Sequence, residues 1–553
     1  MISQDIQKAL GESIEAAEYE KPREILLEFP RELSHGDFAT NVALILGKQQ
    51  GVNPLEIAES IVKNLPTIEG VDRAEVVAPG FINFFIDDAY LKSIISTASN
   101  NPEEWGRGDA LEGKKYLIEH SSPNLFKTFH IGHLVNNAVG ETLVRLTASQ
   151  GAQVTAISWP SDVSPGIAKA VWGLMDLGLT EDVTIENIGK AYTHGVNAYK
   201  EDSEAKEKID SINKELYEGT KGEAYKLYKK GRDVSLENFQ KITSRLGSQF
   251  ADLLFESQSE KIGKEIVQKH CPGVFEESEG AIIYRGTQDG LYDSVFINGQ
   301  GFGTYLTKDL GLIKQKKDTF DFDYSLTITD AEQKQHFQLV LSAAEKIMPD
   351  VRESVAYVHH GRLSLTEGKI SSRLGNAPLI ADLIAEIKTA VQETSQEDID
   401  DTTLENIAIA ALKYTILRTS LGKNITFDPR VSLSLEGDSG LYLQYTHART
   451  VSLLQKGAEQ SFTPSTPTEL PNIEVARLLA RFPYIVERAA LEQEPHHVTQ
   501  YLITLSAAFN AWYAAERILD GEHPEERLCL VAAVGATLRQ GMYLLGVTAV
   551  SHI

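Results

Sequence analysis

Cysteine is nearly absent from this chain, which contains Cys271 and Cys529, far apart in sequence, among its 553 residues. Such a pair excludes a disulfide framework and any cysteine-rich zinc site, so we expect no protein-bound zinc and no resident metal. Scarce cysteine also suits a reducing compartment, and we expect a cytoplasmic protein.

Long apolar runs and a surplus of basic residues are also missing. No run approaches the length of a membrane span, so we expect no membrane partner, and the polar N-terminal segment predicts an amphipathic helix rather than a signal or transit peptide. The formal net charge of -25 argues against general binding to nucleic acid. Phosphates meet a local face, so a nucleic-acid partner would require localised Lys and Arg or contacts to single-stranded bases.

The length of the chain indicates several domains. Residues 1–110 predict a small N-terminal α/β domain that ends in a polar linker. Residues 111–428 predict strands that alternate with helices, which is typical of a parallel α/β sheet, with a Glu- and Lys-rich helical insertion at about 181–265. Residues 429–553 predict an all-α bundle, in which apolar residues recur with the helical period.

Two local patterns extend this prediction. Strand signals at Ala281–Tyr284, Ser294–Ile297 and Ser325–Ile328 predict the remaining strands of the same α/β sheet. Thr402 and Glu405 have the spacing of a capping box and predict the start of a helix.

The segment 116–146 predicts an anion site. A short apolar strand is followed by a polar loop that contains Lys127, and then by a helix that opens with His130-Ile-Gly-His133. The N-terminus of a helix favours an anion, and two imidazoles at i and i+3 point the same way. Gly132 lets a flat ligand approach the backbone. The alternative is that both histidines are ordinary surface residues.

A second polar loop, at 366–376, contains two hydroxyl groups between two cations, Lys369 and Arg373. Such a loop can close over phosphates. By itself, an ordinary surface turn is an equally good interpretation.

Together the two segments resemble the paired signatures of class I aminoacyl-tRNA synthetases. Four further segments are similar to arginyl-tRNA synthetases in particular: Glu119–Asn124, Tyr305–Asp309, Gln333–His336 and Tyr442–Arg449. The resemblance covers nearly the whole chain. It implies a Rossmann-like class I catalytic domain with a helical insertion, a small N-terminal α/β domain and a C-terminal all-α bundle that binds the anticodon.

The resemblance also implies a reaction. The carboxylate of L-arginine attacks the α-phosphate of ATP, which is delivered with Mg²⁺, to give arginyl-adenylate and pyrophosphate. The arginyl group then passes to the 3'-terminal adenosine of tRNA(Arg). Members of the family are usually monomers. A shorter adenylate-forming nucleotidyltransferase and a non-catalytic tRNA-binding paralogue are the alternatives.

The expected ATP contacts come from both signatures, and they are His130, Gly132, His133, Lys369, Ser371, Ser372 and Arg373. The expected catalytic residues are His130, His133, Lys127 and Lys369. Ser372 stands where the usual class I loop has a second lysine. Arginyl enzymes commonly lack that lysine, and the resemblance implies that Lys127 compensates for it.

The expected arginine-binding residues are Glu119, Ser121, Asn124, Tyr305, Asp309 and Gln333. Among these, Asp309 is the first choice, because a guanidinium group pairs best with a carboxylate. His120 departs from the family pattern, in which an apolar or aromatic residue is more usual.

The expected tRNA contacts lie in both terminal domains. Tyr445 and Arg449, one helical turn apart, are candidates for the anticodon loop, because stacking and cationic contacts read splayed bases. Phe38, Asn83 and Phe84 are candidates for the elbow of the tRNA, with core packing as the equal alternative.

Overall fold

The computed structural model describes residues 1–30, 32–219, 222–366, 379–395, 398–432, 434 and 437–553. The described N-terminal residues form a three-stranded antiparallel sheet with helices packed against it. In chain order, its elements are α1 (Ile2–Ala16), β1 (Phe38–Thr40), α2 (Val42–Gln50), α3 (Pro54–Lys63), β2 (Val71–Val77), β3 (Phe81–Ile86) and α4 (Asp88–Asn100). The strand order is β1–β3–β2, and Pro79 and Gly80 lie in the turn between β2 and β3.

Phe38, Asn83 and Phe84, predicted as contacts to the tRNA elbow, lie inside this region. The two phenylalanine rings are fully buried, and Asn83 is 5% exposed. Phe38 pairs with Phe84 across β1 and β3, and its ring lies 6.2 Å from that of Tyr484 in the C-terminal bundle. For the two rings the burial therefore favours the alternative interpretation, packing in the apolar core.

The second region is built on a parallel sheet. Its first elements are β4 (Lys115–Glu119), α5 (Ile131–Ser149), β5 (Gln153–Ser158), α6 (Pro165–Asp176), α7 (Ile185–Glu201), α8 (Ser203–Glu218), α9 (Glu223–Arg245), β6 (Asp252–Leu253) and α10 (Glu256–Lys269). They are followed by β7 (Glu276–Ser278), β8 (Ala281–Tyr284), β9 (Ser294–Ile297), α11 (Tyr305–Thr319), β10 (Tyr324–Asp330), α12 (Lys334–Glu345), α13 (Val351–Ser354) and β11 (Val355–His360). The last are β12 (Leu363–Leu365), α14 (Ile380–Thr394), α15 (Asp401–Leu417), β13 (Ile425–Phe427) and α16 (Pro429–Ser432).

The parallel strands are ordered β11–β10–β4–β5–β6. The carboxyl ends of all five therefore meet at one edge, where ligands bind in open α/β sheets. The predicted strand Ser325–Ile328 lies in this sheet, within β10. The other two predicted strands do not, because β8 pairs with both β7 and β9 in a separate antiparallel sheet. The short connection between β8 and β9 allows a hairpin, whereas a parallel pair needs a crossover of a dozen or more residues.

The predicted helical insertion is formed by α7, α8 and α9. Together with α6 it buries a small apolar core of its own, which includes Ile188, Ile209 and Leu227. Phe126, in the loop after β4, stacks on Tyr228 of α9 with 6.1 Å between ring centres. The insertion therefore packs directly behind the polar loop. Helix α10 packs instead on α11, beside the parallel sheet.

The C-terminal residues form a helical bundle of α17 (Gly440–Glu459), α18 (Ile473–Leu491), α19 (His496–Ala515) and α20 (Pro524–Leu544). The apolar stripe predicted on α19 is buried, as Leu502, Leu505 and Phe509 show. The capping box predicted for α15 is wrong. Asp400 caps this helix by accepting hydrogen bonds from the N–H groups of Thr402 and Thr403. Glu405 does not take part in the cap, and its Oε1 lies 2.8 Å from Nε of Arg245.

Two basic side chains join the bundle to the sheet region. Lys413 of α15 is fully buried, and its Nζ donates to the carbonyl oxygens of Leu246 at 2.6 Å and Gly546 at 2.9 Å. These oxygens lie at the C-terminal ends of α9 and α20, where the helix dipole favours a cation. Arg145 of α5 donates, at 2.8 Å each, to further carbonyls at the same two ends, those of Gly247 and Tyr543.

Candidate active site

The two histidines of the first signature cap α5. Nδ1 of His130 accepts a hydrogen bond from the N–H of Gly132 at 3.1 Å, and Nδ1 of His133 accepts one from the N–H of His130 at 3.1 Å. The two ring centres are 3.9 Å apart. Two N–H groups that a helix end would leave without partners are therefore satisfied by imidazoles.

Burial and the neighbouring charges determine the charge of the two rings, and the cap determines which nitrogen carries the proton. Burial, then His130 and Lys127, lowers the pKa of His133 to about 3. Burial, then Lys127, also lowers the pKa of His130. Both rings are therefore neutral near pH 7. Because each Nδ1 accepts a hydrogen bond, the ring proton lies on Nε2, so each ring offers an N–H donor.

Lys127 lies beside these rings. Its side chain is exposed, and its Nζ is 5.1 Å from the ring centre of Tyr192 on α7. Gly132 is exposed between the histidines, and a Cβ atom at this position would lie 3.0 Å from Cε1 of His130. A side chain here would therefore crowd the ring that the cap requires. The N-terminus of α5 thus combines a cation, two neutral donors and open backbone.

The second signature cannot be placed, because Lys369, Ser371, Ser372 and Arg373 lie outside the described residues. The described residues that follow it are anchored. Leu379 pairs with His130 in an isolated bridge, and the N–H of Ile380 donates to the oxygen of Phe129 at 3.4 Å. The chain therefore returns from this segment directly to the start of α5.

Asp309 is the buried carboxylate of the predicted arginine pocket. It is 7% exposed, and its Oδ2 lies 2.6 Å from Nε2 of His336. Burial raises its pKa, His336 opposes the rise, and repulsion from Glu119 adds to it. Tyr305, one turn earlier on α11, is 65% exposed. A guanidinium group is a cation that would stabilise the ionised form of a carboxylate that is buried and repelled by a second carboxylate.

Glu119 ends β4 and is also buried, at 3% exposure. Its Oε2 lies 2.5 Å from Nζ of Lys316 and 3.3 Å from the donating hydroxyl of Thr327. Its Oε1 accepts a hydrogen bond from Ser122 at 3.3 Å. Lys316 was missed at the level of sequence. The available signal was its position seven residues after Asp309, which places both on one face of α11.

The other predicted arginine contacts are placed less favourably. The Ser121 hydroxyl is buried, 2.9 Å from Nδ1 of His120 and 3.0 Å from Nδ2 of Asn137, so it faces the interior rather than the pocket. Asn124 is exposed in the loop. Gln333 is exposed, and its Oε1 accepts a hydrogen bond from Thr329 at 3.0 Å.

His120 faces away from the pocket. Its ring lies 4.9 Å from that of Phe250, and the residue is 1% exposed. Burial, then the charge of Lys413, lowers its pKa to about 3. The ring thus fills, as a neutral group, the apolar position that an apolar or aromatic residue is expected to occupy.

Asn136 is a second residue that the sequence did not reveal. Its Oδ1 accepts a hydrogen bond from the N–H of Ser121 at 2.6 Å, and its Nδ2 donates to the oxygen of Ile328 at 2.7 Å. The side chain therefore ties the loop after β4 to the neighbouring strand. No spacing rule marks such a bridge, because its partners are backbone atoms.

In the bundle, Tyr445 and Arg449 are in direct contact. Nη2 of Arg449 donates to the Tyr445 hydroxyl at 2.7 Å, and the guanidinium carbon lies 4.5 Å from the ring centre of Tyr513. Arg449 also donates to Oδ1 of Asn510. The result is a half-buried cluster of aromatic rings around one guanidinium, on α17 and α19.

Comparison with known proteins identifies the family. The model described as "tRNA synthetases class I (R), catalytic domain" matches residues 99–428. The chain belongs to the class I arginyl-tRNA synthetases. The model of the arginyl-tRNA synthetase N-terminal domain matches residues 2–86, and that of the DALR anticodon binding domain matches residues 443–553. The predicted family, fold class and ligase function are thereby confirmed.

Individual relatives extend over the whole chain. It is 28% identical to an arginine–tRNA ligase of Clostridium perfringens, with 96% of each chain covered. It is 29% identical to one of Pediococcus pentosaceus, with 98% of this chain and 97% of the relative covered. The fold is similar to that of Thermus thermophilus arginyl-tRNA synthetase, with a TM-score of 0.84 at 22% identity and 100% of each chain covered. Among the described helices, none is both long and apolar enough to cross a bilayer.

Proposed function

We propose that this arginine–tRNA ligase forms arginyl-adenylate between two groups of residues at the carboxyl edge of its sheet. One group is the start of α5, with Lys127. The other is the pair of carboxylates, Glu119 and Asp309. The observation that carries the proposal is the connection between them. Glu119 ends β4, the loop that follows contains Lys127 and leads to the capped start of α5, and Asp309 lies close enough to Glu119 for their charges to interact.

The start of α5 suits the phosphates of ATP. As the carboxylate of arginine attacks the α-phosphate and pyrophosphate leaves, negative charge builds up on the phosphate oxygens. The Nε2–H groups of His130 and His133 donate to this charge, and the helix dipole and Lys127 add to the stabilisation. Mg²⁺ arrives as part of the ATP complex. Lys369 and Arg373 are proposed to add positive charge from the second signature.

The pair of carboxylates suits the amino acid. Asp309 pairs with the guanidinium, over which the exposed ring of Tyr305 provides a stacking surface. Glu119 accepts the α-ammonium, with Asn124 nearby in the loop. Gln333 provides a further polar contact. Such contacts hold the carboxylate of arginine in line with the α-phosphate, and this positioning contributes to the rate enhancement.

In the second step the arginyl group is transferred to the 3'-terminal adenosine of tRNA(Arg). Tyr445 and Arg449 are proposed to hold the anticodon loop, where a base can stack on the tyrosine ring beside the guanidinium. The partners are therefore L-arginine, ATP and tRNA(Arg), and we propose that the protein acts as a cytoplasmic monomer.

The test is pyrophosphate exchange with each of the standard amino acids, with and without tRNA. We expect arginine to be the one amino acid that supports exchange. As the family resemblance implies, this exchange should require tRNA. Asp309→Asn should lower kcat/KM for arginine by about 10²-fold or more and leave the KM for ATP unchanged. Exchange driven by lysine or glutamine would overturn the assignment of the substrate.

A further inference from the structure

A surface cavity of about 250 Å³ lies where the N-terminal region meets the helical bundle. Residues of α18 and α19 form most of its wall, and Phe29, which precedes β1, lines it from the N-terminal region. The guanidinium groups of Arg481 and Arg488 and the amide of Gln500 also line it. Among the described lining residues none carries a carboxylate. The cavity is therefore cationic, on a chain whose formal net charge is -25.

Arg481 is half-buried against an aromatic ring, and its guanidinium carbon lies 4.9 Å from the ring centre of Phe29. Its Nε is buried and has no hydrogen-bond partner among the described residues. Burial lowers the pKa of Arg481, and the attraction of Asp37 opposes this effect. Asp37 itself forms its ion pair with Arg477, 3.1 Å from Nε of that residue. A desolvated guanidinium without hydrogen bonds is costly, and an anion in the cavity would supply the acceptors.

The rim of the cavity adds donors without adding net charge. Glu492 accepts hydrogen bonds from Nε of Arg488 and from Nε2 of His497, each at 2.7 Å. Burial is the largest of the effects that lower the pKa of His497, so its ring is neutral near pH 7. One carboxylate therefore balances one guanidinium, and Arg481 supplies the surplus positive charge. The exposed amide of Gln500 offers a further N–H donor.

The position of the cavity favours RNA as the source of the anion. The bundle matches the model of an anticodon binding domain, and the N-terminal region matches the N-terminal model of the same family. Asp37 also accepts a hydrogen bond from the N–H of Ile86 at 2.8 Å, at the end of the strand that contains Asn83. An RNA that contacts both terminal domains is expected to pass this joint. Guanidinium groups pair with phosphate oxygens through parallel N–H donors.

We propose that Arg481 binds a backbone phosphate of tRNA(Arg) at the joint between the N-terminal region and the bundle, with Arg488 and Gln500 as neighbouring donors. Such a contact positions the tRNA and reads no base, because every nucleotide carries the same phosphate. It is separate from the contacts proposed for Tyr445 and Arg449. The inference rests on the proposed function, in which tRNA(Arg) is the partner.

The test compares Arg481→Gln with Arg352→Gln. Arg352 is an exposed arginine of α13 in the sheet region, 3.0 Å from Glu345, and is the matched control for the loss of one charge. The Kd for tRNA(Arg) is measured by fluorescence titration over a series of salt concentrations. Arg481→Gln should raise this Kd by about five- to tenfold and reduce the slope of log Kd against log salt by about one. Arg352→Gln should change neither, and in both variants the KM values for arginine and ATP should stay within about twofold of the wild-type values.

Gln500→Glu is a second variant, which places a carboxylate at the cavity on an exposed side chain and so does not disturb the core. The new charge repels phosphate and competes for Arg481, so the Kd for tRNA(Arg) should rise by about tenfold. A merely structural role of Arg481 would lower the thermal midpoint and leave the salt slope unchanged. Gln500→Glu decides the question alone if Arg481→Gln does not fold.

The proposal is overturned if Arg481→Gln and Gln500→Glu both bind tRNA(Arg) with the wild-type Kd and salt slope. Inorganic phosphate, compared with chloride at equal ionic strength, tests for a small anion instead. If phosphate raises the thermal midpoint of the wild-type protein but not of Arg481→Gln, while both bind tRNA equally, the cavity holds a free phosphate compound and the assignment to RNA is wrong. Failure of the proposed function would be seen separately, as a wild-type protein that does not activate arginine.

Discussion

Nδ1 of His133 accepts a hydrogen bond from the backbone N–H of His130, 3.1 Å away. The ring is therefore used on both sides: Nδ1 closes the helix cap, and Nε2–H faces the site. Under the proposed function, structure and catalysis depend on different nitrogen atoms of one residue. Amide side chains of two lengths can separate them, because an asparagine amide reaches the position of Nδ1 and a glutamine amide that of Nε2.

His133→Asn should keep the cap and lose the catalytic donor. We expect a thermal midpoint close to that of the wild-type protein and a rate of adenylate formation lower by about 10²-fold. His133→Gln should show the reverse, with a smaller loss of rate and a lower midpoint. Calorimetry and single-turnover kinetics measure the two effects. If both variants lose stability and activity in parallel, the two nitrogens do not have separate roles.

Lys127→Ala should slow adenylate formation by about 10- to 10²-fold, because its charge lies beside the site where phosphate charge develops. Binding of tRNA, measured by fluorescence titration, should change by less than about twofold. Lys200→Ala, which removes an exposed lysine from α7, is the control and should alter neither quantity. An unchanged rate in Lys127→Ala would refute the idea that this lysine compensates for the one replaced by Ser372.

Acid should destabilise the protein through two buried histidines. Burial lowers the pKa of His120 and of His133 to about 3, from an ordinary value of 6.5. Between these values the unfolded chain binds more protons than the folded one, so the free energy of unfolding falls as the pH falls, by about 1.4 kcal/mol per pH unit for each group. His120→Asn, which keeps a polar partner for the Ser121 hydroxyl, should reduce this slope.

Denaturant midpoints at about pH 5 and about pH 7.5 provide the measurement. The wild-type protein should lose more stability than His120→Asn between the two values. Above about pH 7.5, where both histidines are neutral in either state, the two curves should run parallel. Equal losses below pH 6 would mean that His120 does not resist protonation.

Substitutions of Tyr445 and Arg449 should raise the KM for tRNA without changing the KM values for arginine and ATP. Arg449→Ala should raise the KM for tRNA by about tenfold, with the KM values for arginine and ATP unchanged. Tyr445→Phe keeps the stacking ring and should have a smaller effect than Tyr445→Ala. If the two tyrosine variants are equivalent, stacking is not the interaction that matters. An unchanged KM for tRNA in Arg449→Ala would place the anticodon contact elsewhere.

Local patterns in the sequence were sufficient for part of this architecture. Strong helical periodicity predicted α19, and the change from an apolar strand to a polar loop predicted the start of α5. Pairing between strands was less accessible. The strands β8 and β9 carry the same local signal as β10, and their antiparallel partner is decided by the short chain between them rather than by their own residues.

The site shows the same division. His130, His133 and Asp309 belong to motifs and could be named from the sequence. Lys316 and Asn136 were missed. Glu119, which pairs with Lys316, is 197 residues away in the chain, and the partners of Asn136 are backbone atoms. Phe38 and Phe84 are a case in which the sequence left two interpretations equally open. Aromatic residues suit both a core and a nucleic-acid surface, and burial is set by tertiary packing. The domain boundaries and the roles of the site residues stay predictions until tested.

Arg145 and Lys413 both donate hydrogen bonds to carbonyl oxygens at the end of α20, and Arg145 belongs to α5. This helix has 19 residues, so its ends lie roughly 28 Å apart. One end carries the histidines, and near the other Arg145 grips the last turn of α20 through the carbonyl of Tyr543. Helix α5 therefore links the end of the bundle directly to the two histidines. A displacement of α20 would act on the residues proposed to bind ATP through this one helix.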